Sequence, residues 1–119
     1  MSGLPVETLD QRSLTVTTYE VANQSTTRGN ITPIKAAVGV EIGYFNTTSA
    51  TGKYLYVVFN AYSNADASAK LATPGQRFVI PLGEVRKFNF PSSSACSRID
   101  FISDTAESGT SKTIVTIGA

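Results

Sequence analysis

The stretch Lys53-Tyr-Leu-Tyr-Val-Val-Phe-Asn-Ala-Tyr62 is the most apolar and aromatic ten-residue segment of the chain. If it forms a β-strand, its side chains alternate between two faces. One is a plain core face, consisting of Leu55, Val57, Phe59 and Ala61. The other consists of Tyr54, Tyr56, Val58, Asn60 and Tyr62. Because neither face carries a charge, we expect this strand to lie in the middle of a sheet.

Segments with the same two-residue alternation occur on both sides of this stretch, separated by turn residues. They comprise residues 13–21, 34–45, 76–82, 85–90, 98–103 and 113–117. Residues 23–30 have the composition of a loop. Residues 63–75 are expected to form one or two turns of helix or an irregular connection. Seven or eight short strands of this kind predict an all-β fold, an antiparallel β-sandwich of the jelly-roll or Greek-key type.

For two of these segments, the alternation predicts which side chains are buried. The segment 34–45 exceeds the usual strand length, so we expect a bulge or a break near Gly39 or Gly43. Its predicted core face consists of Ile34, Ala36, Val38, Val40, Ile42 and Tyr44. In the segment 76–82 we expect Phe78 and Ile80 to point inward.

The length of 119 residues suits one two-layer domain. We assign residues 13–119 to a single β-sandwich domain and residues 1–12 to an extended N-terminal arm. The arm segment has no convincing period and contains Pro5. Its apolar side chains, Leu4, Val6 and Leu9, are predicted to bind a partner, and a frayed terminus is the alternative.

The low charge narrows the range of partners. Charged residues make up 16% of the chain, below the usual quarter, and the formal net charge is +1. This charge gives no field to attract nucleic acid or an anionic membrane, and the pair Arg86-Lys87 is a weak sign of single-stranded nucleic-acid binding. No apolar run approaches the roughly eighteen residues of a membrane span. The N-terminal residues lack the features of a secretory signal, so we expect synthesis in the cytoplasm without a signal peptide.

The residue types of the common catalytic and metal sites are scarce. The chain has no histidine, so neither a Ser-His-Asp nor a Cys-His arrangement can be built. Asp100, Asp104 and Glu107 could offer oxygen ligands to calcium, but a solvated loop suits their irregular spacing better. Cys96, the only cysteine, is expected to be a small half-buried residue. We therefore expect no catalytic residue, no metal and no cofactor.

The tyrosines of the central segment are the other candidates for a binding surface. Tyr54, Tyr56 and Tyr62 would share one face of the strand, where their hydroxyls suit a partly wet contact. We predict that they bind another protein chain, or that they simply form the second face of a covered sheet. Stacking against sugar rings, in a carbohydrate-binding or host-surface-binding module, is the alternative, although such modules favour tryptophan and this chain has none.

Four segments follow one another in the second half of the chain. They are Leu-Tyr-Val-Val-Phe-Asn at 55–60, Pro-Gly-Gln-Arg-Phe-Val-Ile-Pro-Leu-Gly at 74–83, Arg-Ile-Asp-Phe-Ile-Ser at 98–103 and Thr-Ile-Val-Thr-Ile-Gly at 113–118. In this order the chain resembles small all-β virion proteins of tailed bacteriophages, above all the capsid decoration (cement) proteins. The resemblance implies a non-enzymatic structural protein on the capsid surface. It also implies that the protein binds the major capsid protein as a homo-oligomer, a dimer or a trimer.

Overall fold

The computed structural model of the chain describes residues 16–22, 28–32, 36–46, 54–104 and 111–118. Within these ranges lie eight β-strands, one α-helix and a short 3-10 turn at Ser92–Ser94. The strands are β1 (Val16–Ala22), β2 (Gly29–Ile31), β3 (Gly39–Asn46), β4 (Tyr54–Phe59), β5 (Phe78–Pro81), β6 (Val85–Asn89), β7 (Ile99–Ser103) and β8 (Ser111–Gly118). The helix is α1 (Asn64–Leu71).

The strands form two four-stranded antiparallel sheets, with the order β1-β8-β3-β6 in the first and β2-β7-β4-β5 in the second. Each strand of the first half of the chain pairs with its counterpart from the second half: β1 with β8, β2 with β7, β3 with β6 and β4 with β5. This pairing is that of one long antiparallel hairpin, which folds over so that successive strand pairs lie alternately in the two sheets. The fold is therefore a jelly roll, and the predicted antiparallel β-sandwich is confirmed.

The central strand β4 lies between β5 and β7, inside the second sheet, as its lack of charge predicts. Leu55 and Val57 are completely buried in the core between the sheets, and Phe59 packs against that core at its margin. The strand ends there because Asn60 adopts a positive φ of 57°, a left-handed conformation that asparagine tolerates better than most residues. The predicted position of Ala61 on the core face is therefore wrong: Ala61 packs on the outer side of the sheet, beneath α1.

In the segment 34–45, the positions that face the core change from odd-numbered to even-numbered residues before β3 begins. Its later apolar residues are buried as predicted: Val40, Ile42 and Tyr44. Ala36 and Val38 are exposed, so their predicted core positions are wrong. The cause is a two-way backbone bridge, in which the N–H of Ala37 donates to the Cys96 carbonyl (2.8 Å) and the N–H of Cys96 donates to the Ala37 carbonyl (2.7 Å). Ala37 is thereby buried, and Gly39 marks the predicted break as the first residue of β3.

Two other predictions fail at the margins of the sheets. Residues 29 and 30, assigned to a loop, belong to β2, a three-residue strand that pairs only with β7 in the described structure. So short a strand carries too few alternating residues to be recognised in a sequence. Phe78 was expected to be buried, but this residue is 52% exposed, because β5 is an edge strand of its sheet in the described structure. Ile80, two residues further along, is completely buried as predicted.

Helix α1 covers part of the outer face of the second sheet and confirms the predicted one or two helical turns. It begins after Ser63, whose hydroxyl accepts a hydrogen bond from the backbone N–H of Asp66 (3.0 Å), as an N-cap residue does. Its buried residues Ala67 and Leu71 pack with Val58 and Ala61 in a small second core. The helix thus covers the part of this face that contains Val58 and Ala61.

Candidate functional site

The free edges of the two sheets meet on one side of the sandwich, between β5 and β6, which we call the open side. In the part of the chain that the structure describes, β5 pairs only with β4 and β6 pairs only with β3. Four large apolar side chains are exposed on or between these strands: Phe78, Val79, Leu82 and Val85. Apolar edge strands are sites at which other chains associate. On β6, Arg86 and Lys87 add charge beside them.

A groove of about 680 Å³ enters the sandwich at the end of the open side. Its floor is a cluster of phenylalanine rings, with Phe59 at the centre. The ring centroid of Phe59 lies 4.8 Å from Phe88, 5.0 Å from Phe90 and 5.7 Å from Phe78. The rim is polar and includes Lys70, Gln76, Lys87 and Asn89. An apolar floor with a polar rim suits contact with another protein.

Of the three tyrosines that the sequence places on one face, Tyr54 and Tyr56 share a face in the structure and Tyr62 does not. Tyr54 and Tyr56 project from the outer face of β4, with Tyr54 exposed and Tyr56 half-buried. The Arg77 guanidinium lies over the Tyr56 ring, 3.7 Å from its centroid. Tyr62 follows the end of the strand and is 86% exposed, with the Lys70 ammonium 5.9 Å from its ring centroid. The positive φ of Asn60 explains this separation, because it interrupts the alternation of the strand.

The other predicted contact residues, Leu4, Val6 and Leu9, lie outside the described residues, as do Ile34 and Glu107.

Beside the outer face of β4 lies a notch of about 260 Å³, which we call the arginine notch. Its lining residues come from the end of α1, the following loop, β4, β7 and the residues that flank β2 and β7: Arg28, Tyr56, Ser68, Leu71, Ala72, Arg77, Ile102, Ser103 and Asp104. No pattern in the sequence marks this site. Its two arginines are 49 positions apart in the chain, and only the pairing of β2 with β7 and the packing of α1 bring them together.

Next to this notch, Asp100 of β7 is completely buried on the helix side of the sheet. Its carboxylate accepts hydrogen bonds from Arg28 Nη1, Asn30 Nδ2 (3.2 Å), Arg98 Nε (2.7 Å) and Arg98 Nη2 (3.1 Å). The hydrogen bond to Asp100 raises the pKa of Arg98 above its ordinary value. Assigning Asp100 to a solvated loop was therefore wrong. The alternation of Asp100 with the core residues Ile99 and Phe101 indicates a strand, and it places Asp100 on the face opposite the core.

Cys96 is completely buried, rather than half-buried as the sequence suggested. Burial raises the pKa of its thiol to about 11, and Sγ donates a hydrogen bond to the Arg98 carbonyl (3.7 Å). At neutral pH the group is a protonated thiol and a poor nucleophile. Among the described residues, no three histidine, cysteine or acidic side chains are grouped so that they could hold a metal ion. No described helix is long and apolar enough to cross a membrane.

Two solved structures show where the same fold is found. The chain is similar to a chain of tomato aspermy virus, solved by X-ray crystallography, with a TM-score of 0.57 and 14% identity over 88% of this chain and 76% of that chain. It is also similar to the SPBc2 prophage-derived protein YomS, with a TM-score of 0.55 and 13% identity over 89% of this chain and 95% of that chain. No protein-family model and no curated protein matches the chain. These similarities show the fold, which also occurs in a virus chain and in a prophage-derived protein.

Proposed function

We propose that this chain is a non-enzymatic virion structural protein, a capsid cement protein that binds the lattice of major capsid protein through its open side. The observation that carries the proposal is the group of exposed apolar side chains on the two free sheet edges, Phe78 and Val79 on β5 and Val85 on β6. Apolar surface of this kind is costly to leave in water and is stabilised when a partner covers it. The occurrence of the fold in a virus and in a prophage-derived protein is in keeping with this role.

The chemistry of the described side chains supports a structural role over a catalytic one. Four carboxylates each pair with a lysine or an arginine: Glu41, Asp66, Glu84 and Asp100. A carboxylate whose oxygens are engaged by a cation is less available to contact a substrate. With no histidine in the chain, the usual base is missing as well.

The alternative, a sugar-binding platform of tyrosines, receives less support from the geometry. Stacking needs open ring faces arranged side by side, but Arg77 covers one face of Tyr56, and Tyr62 lies beyond the end of the strand. Protein contact remains the better proposal for this surface.

The exposed apolar patch of one protomer would give only modest affinity, so we further propose that the protein attaches as a dimer or a trimer. Several patches joined in one oligomer bind a regular lattice much more tightly than one patch does, because the later contacts form at a high effective concentration. The lattice would in turn be stabilised because each oligomer connects neighbouring capsid subunits.

The proposal is tested by co-sedimentation with capsids assembled from the major capsid protein encoded nearest to the gene for this chain. Val79→Glu places an unpaired carboxylate in the proposed contact and should weaken binding by about tenfold or more. Thr18→Glu is the matched control, because Thr18 is exposed on β1, at the opposite edge of the first sheet. Equal binding by the two variants would contradict the assignment of the open side, and a wild-type chain that never sediments with capsids would contradict the function.

A further inference from the structure

Arg77 differs from the other cations whose side chains the structure describes. The others each form an ion pair with a carboxylate: Arg28, Lys70, Arg86, Lys87 and Arg98. Within the described part of the chain, Arg77 forms none. It is held instead by two other contacts, the ring of Tyr56 at 3.7 Å and the carbonyl of Leu71, to which its Nη1 donates a hydrogen bond of 2.8 Å.

These two contacts position the guanidinium of Arg77 before any ligand arrives. Stacking on Tyr56 sets the plane of the guanidinium, and the bond to Leu71 at the end of α1 sets its rotation within that plane. A guanidinium has five N–H donors in a planar fork that matches the two oxygens of a carboxylate. Because the side chain is already ordered and half-buried, little conformational entropy remains to be lost on binding.

The lining of the arginine notch indicates what kind of group it would receive. Arg28 and Arg77 contribute two positive charges and Asp104 one negative charge, so the formal charge of the lining is +1. The Asp104 carboxylate is itself engaged, since its Oδ1 accepts a hydrogen bond from the backbone N–H of Tyr54 (3.3 Å). Leu71 and Ile102 add apolar surface beside the charges. A short apolar stem that ends in a carboxylate complements this lining.

We propose that the arginine notch binds a carboxylate of a protein partner, presented by an acidic side chain, with Arg77 as the principal ligand-binding residue and Arg28 across the notch. That this partner is the capsid lattice rests on the function proposed above. Carboxylate binding by the notch itself does not rest on it. The open side would supply apolar contact area, and the notch would supply orientation, because a bidentate arginine–carboxylate pair fixes direction as well as distance.

The test uses the isolated full-length protein and N-acetylglutamate as the probe, at constant ionic strength, followed by the NMR signals of the arginine Nε–Hε groups. Arg77 should show saturable shifts with a dissociation constant in the millimolar range, and Arg77→Gln should weaken binding by about tenfold or more. Arg86→Gln is the matched control, because Arg86 is a surface cation of β6 paired with Glu84 and does not line the notch. It should leave the affinity unchanged.

Two further measurements separate a binding role of Arg77 from a purely structural one. Asp104→Asn removes the negative charge from the lining and should tighten binding of the probe by severalfold, an effect opposite in sign to that of Arg77→Gln. Arg77→Lys keeps the charge but loses the planar fork, so it should restore only part of the affinity.

Each outcome decides the proposal. Equal affinity of Arg77→Gln and Arg86→Gln would overturn it, as would weaker binding by Asp104→Asn. Saturation by inorganic phosphate but not by N-acetylglutamate would also overturn it and assign the notch to a phosphate-bearing ligand. Probe binding at Arg77 in a protein that does not sediment with capsids would uphold the notch and reject the proposed function.

Discussion

Replacing Asp100 by asparagine removes the negative charge that holds two arginines together and keeps nearly the same volume. In the structure this carboxylate accepts four hydrogen bonds, three of them from arginines, and has no exposed surface. Removing one partner of a buried ion pair costs about 3–5 kcal/mol, because the remaining charge is left uncompensated. Here the side chains of Arg28 and Arg98 keep 23% and 20% exposure and can turn partly into water. We therefore expect a loss near the lower limit, about 3 kcal/mol.

Equilibrium urea denaturation at pH 7 measures this loss, followed by far-UV circular dichroism because the chain has no tryptophan. Glu41→Gln is the matched control: it also neutralises an ion-paired carboxylate, but Glu41 is 44% exposed and its oxygen lies 3.7 Å from Lys87 Nζ. Such a surface pair contributes at most about 1 kcal/mol. If Asp100→Asn costs less than about 1 kcal/mol, or no more than Glu41→Gln, the buried network does not stabilise the fold as argued.

Three other predictions concern the core, the thiol and the N-terminal segment. Phe59→Ala should lower the free energy of unfolding by about 3 kcal/mol, because it leaves a cavity among three other phenylalanine rings, and a loss below about 1 kcal/mol would contradict the packing described. Burial raises the pKa of Cys96 to about 11, so the unfolded state releases a proton first and stability falls as the pH rises above about 8.5. Urea unfolding should show a smaller alkaline loss for Cys96→Ala than for wild type, and equal losses would refute this. Deleting residues 1–12 should leave the thermal midpoint nearly unchanged and weaken capsid co-sedimentation; failure to fold would make the segment part of the domain, and full-strength attachment would make it a frayed end.

The sequence predicted the parts of this fold that depend on local patterns. Alternation placed Leu55 and Val57 in the core, and the composition of residues 63–75 indicated the helix, because strand faces and helix boundaries depend on neighbouring residues. The prediction failed where the phase of the alternation changes. Val38 is exposed because its neighbour Ala37 bonds to Cys96, 59 positions later, and nothing in the local sequence encodes that contact.

The binding surfaces were predictable only in part, for the same reason. The tyrosines drew attention to the outer face of β4, but the side chain that stacks on Tyr56 belongs to Arg77, in the loop after the helix. The exposure of Phe78 follows from the position of β5 at a sheet edge, which is a property of the topology. The alternation of Asp100 with Ile99 and Phe101 indicates a strand, but its burial depends on contacts with Arg28 and Asn30, which are far away in the sequence.

The most direct measurement is a cryo-electron microscopy reconstruction of the virion encoded around the gene for this chain. We expect an eight-stranded density on the outer capsid surface, repeated with the lattice, with β5 and β6 turned towards the major capsid protein. We also expect an acidic side chain of the capsid within hydrogen-bonding distance of Arg77. A virion without this density, or a density bound through the opposite edge at β1, would contradict the proposed function.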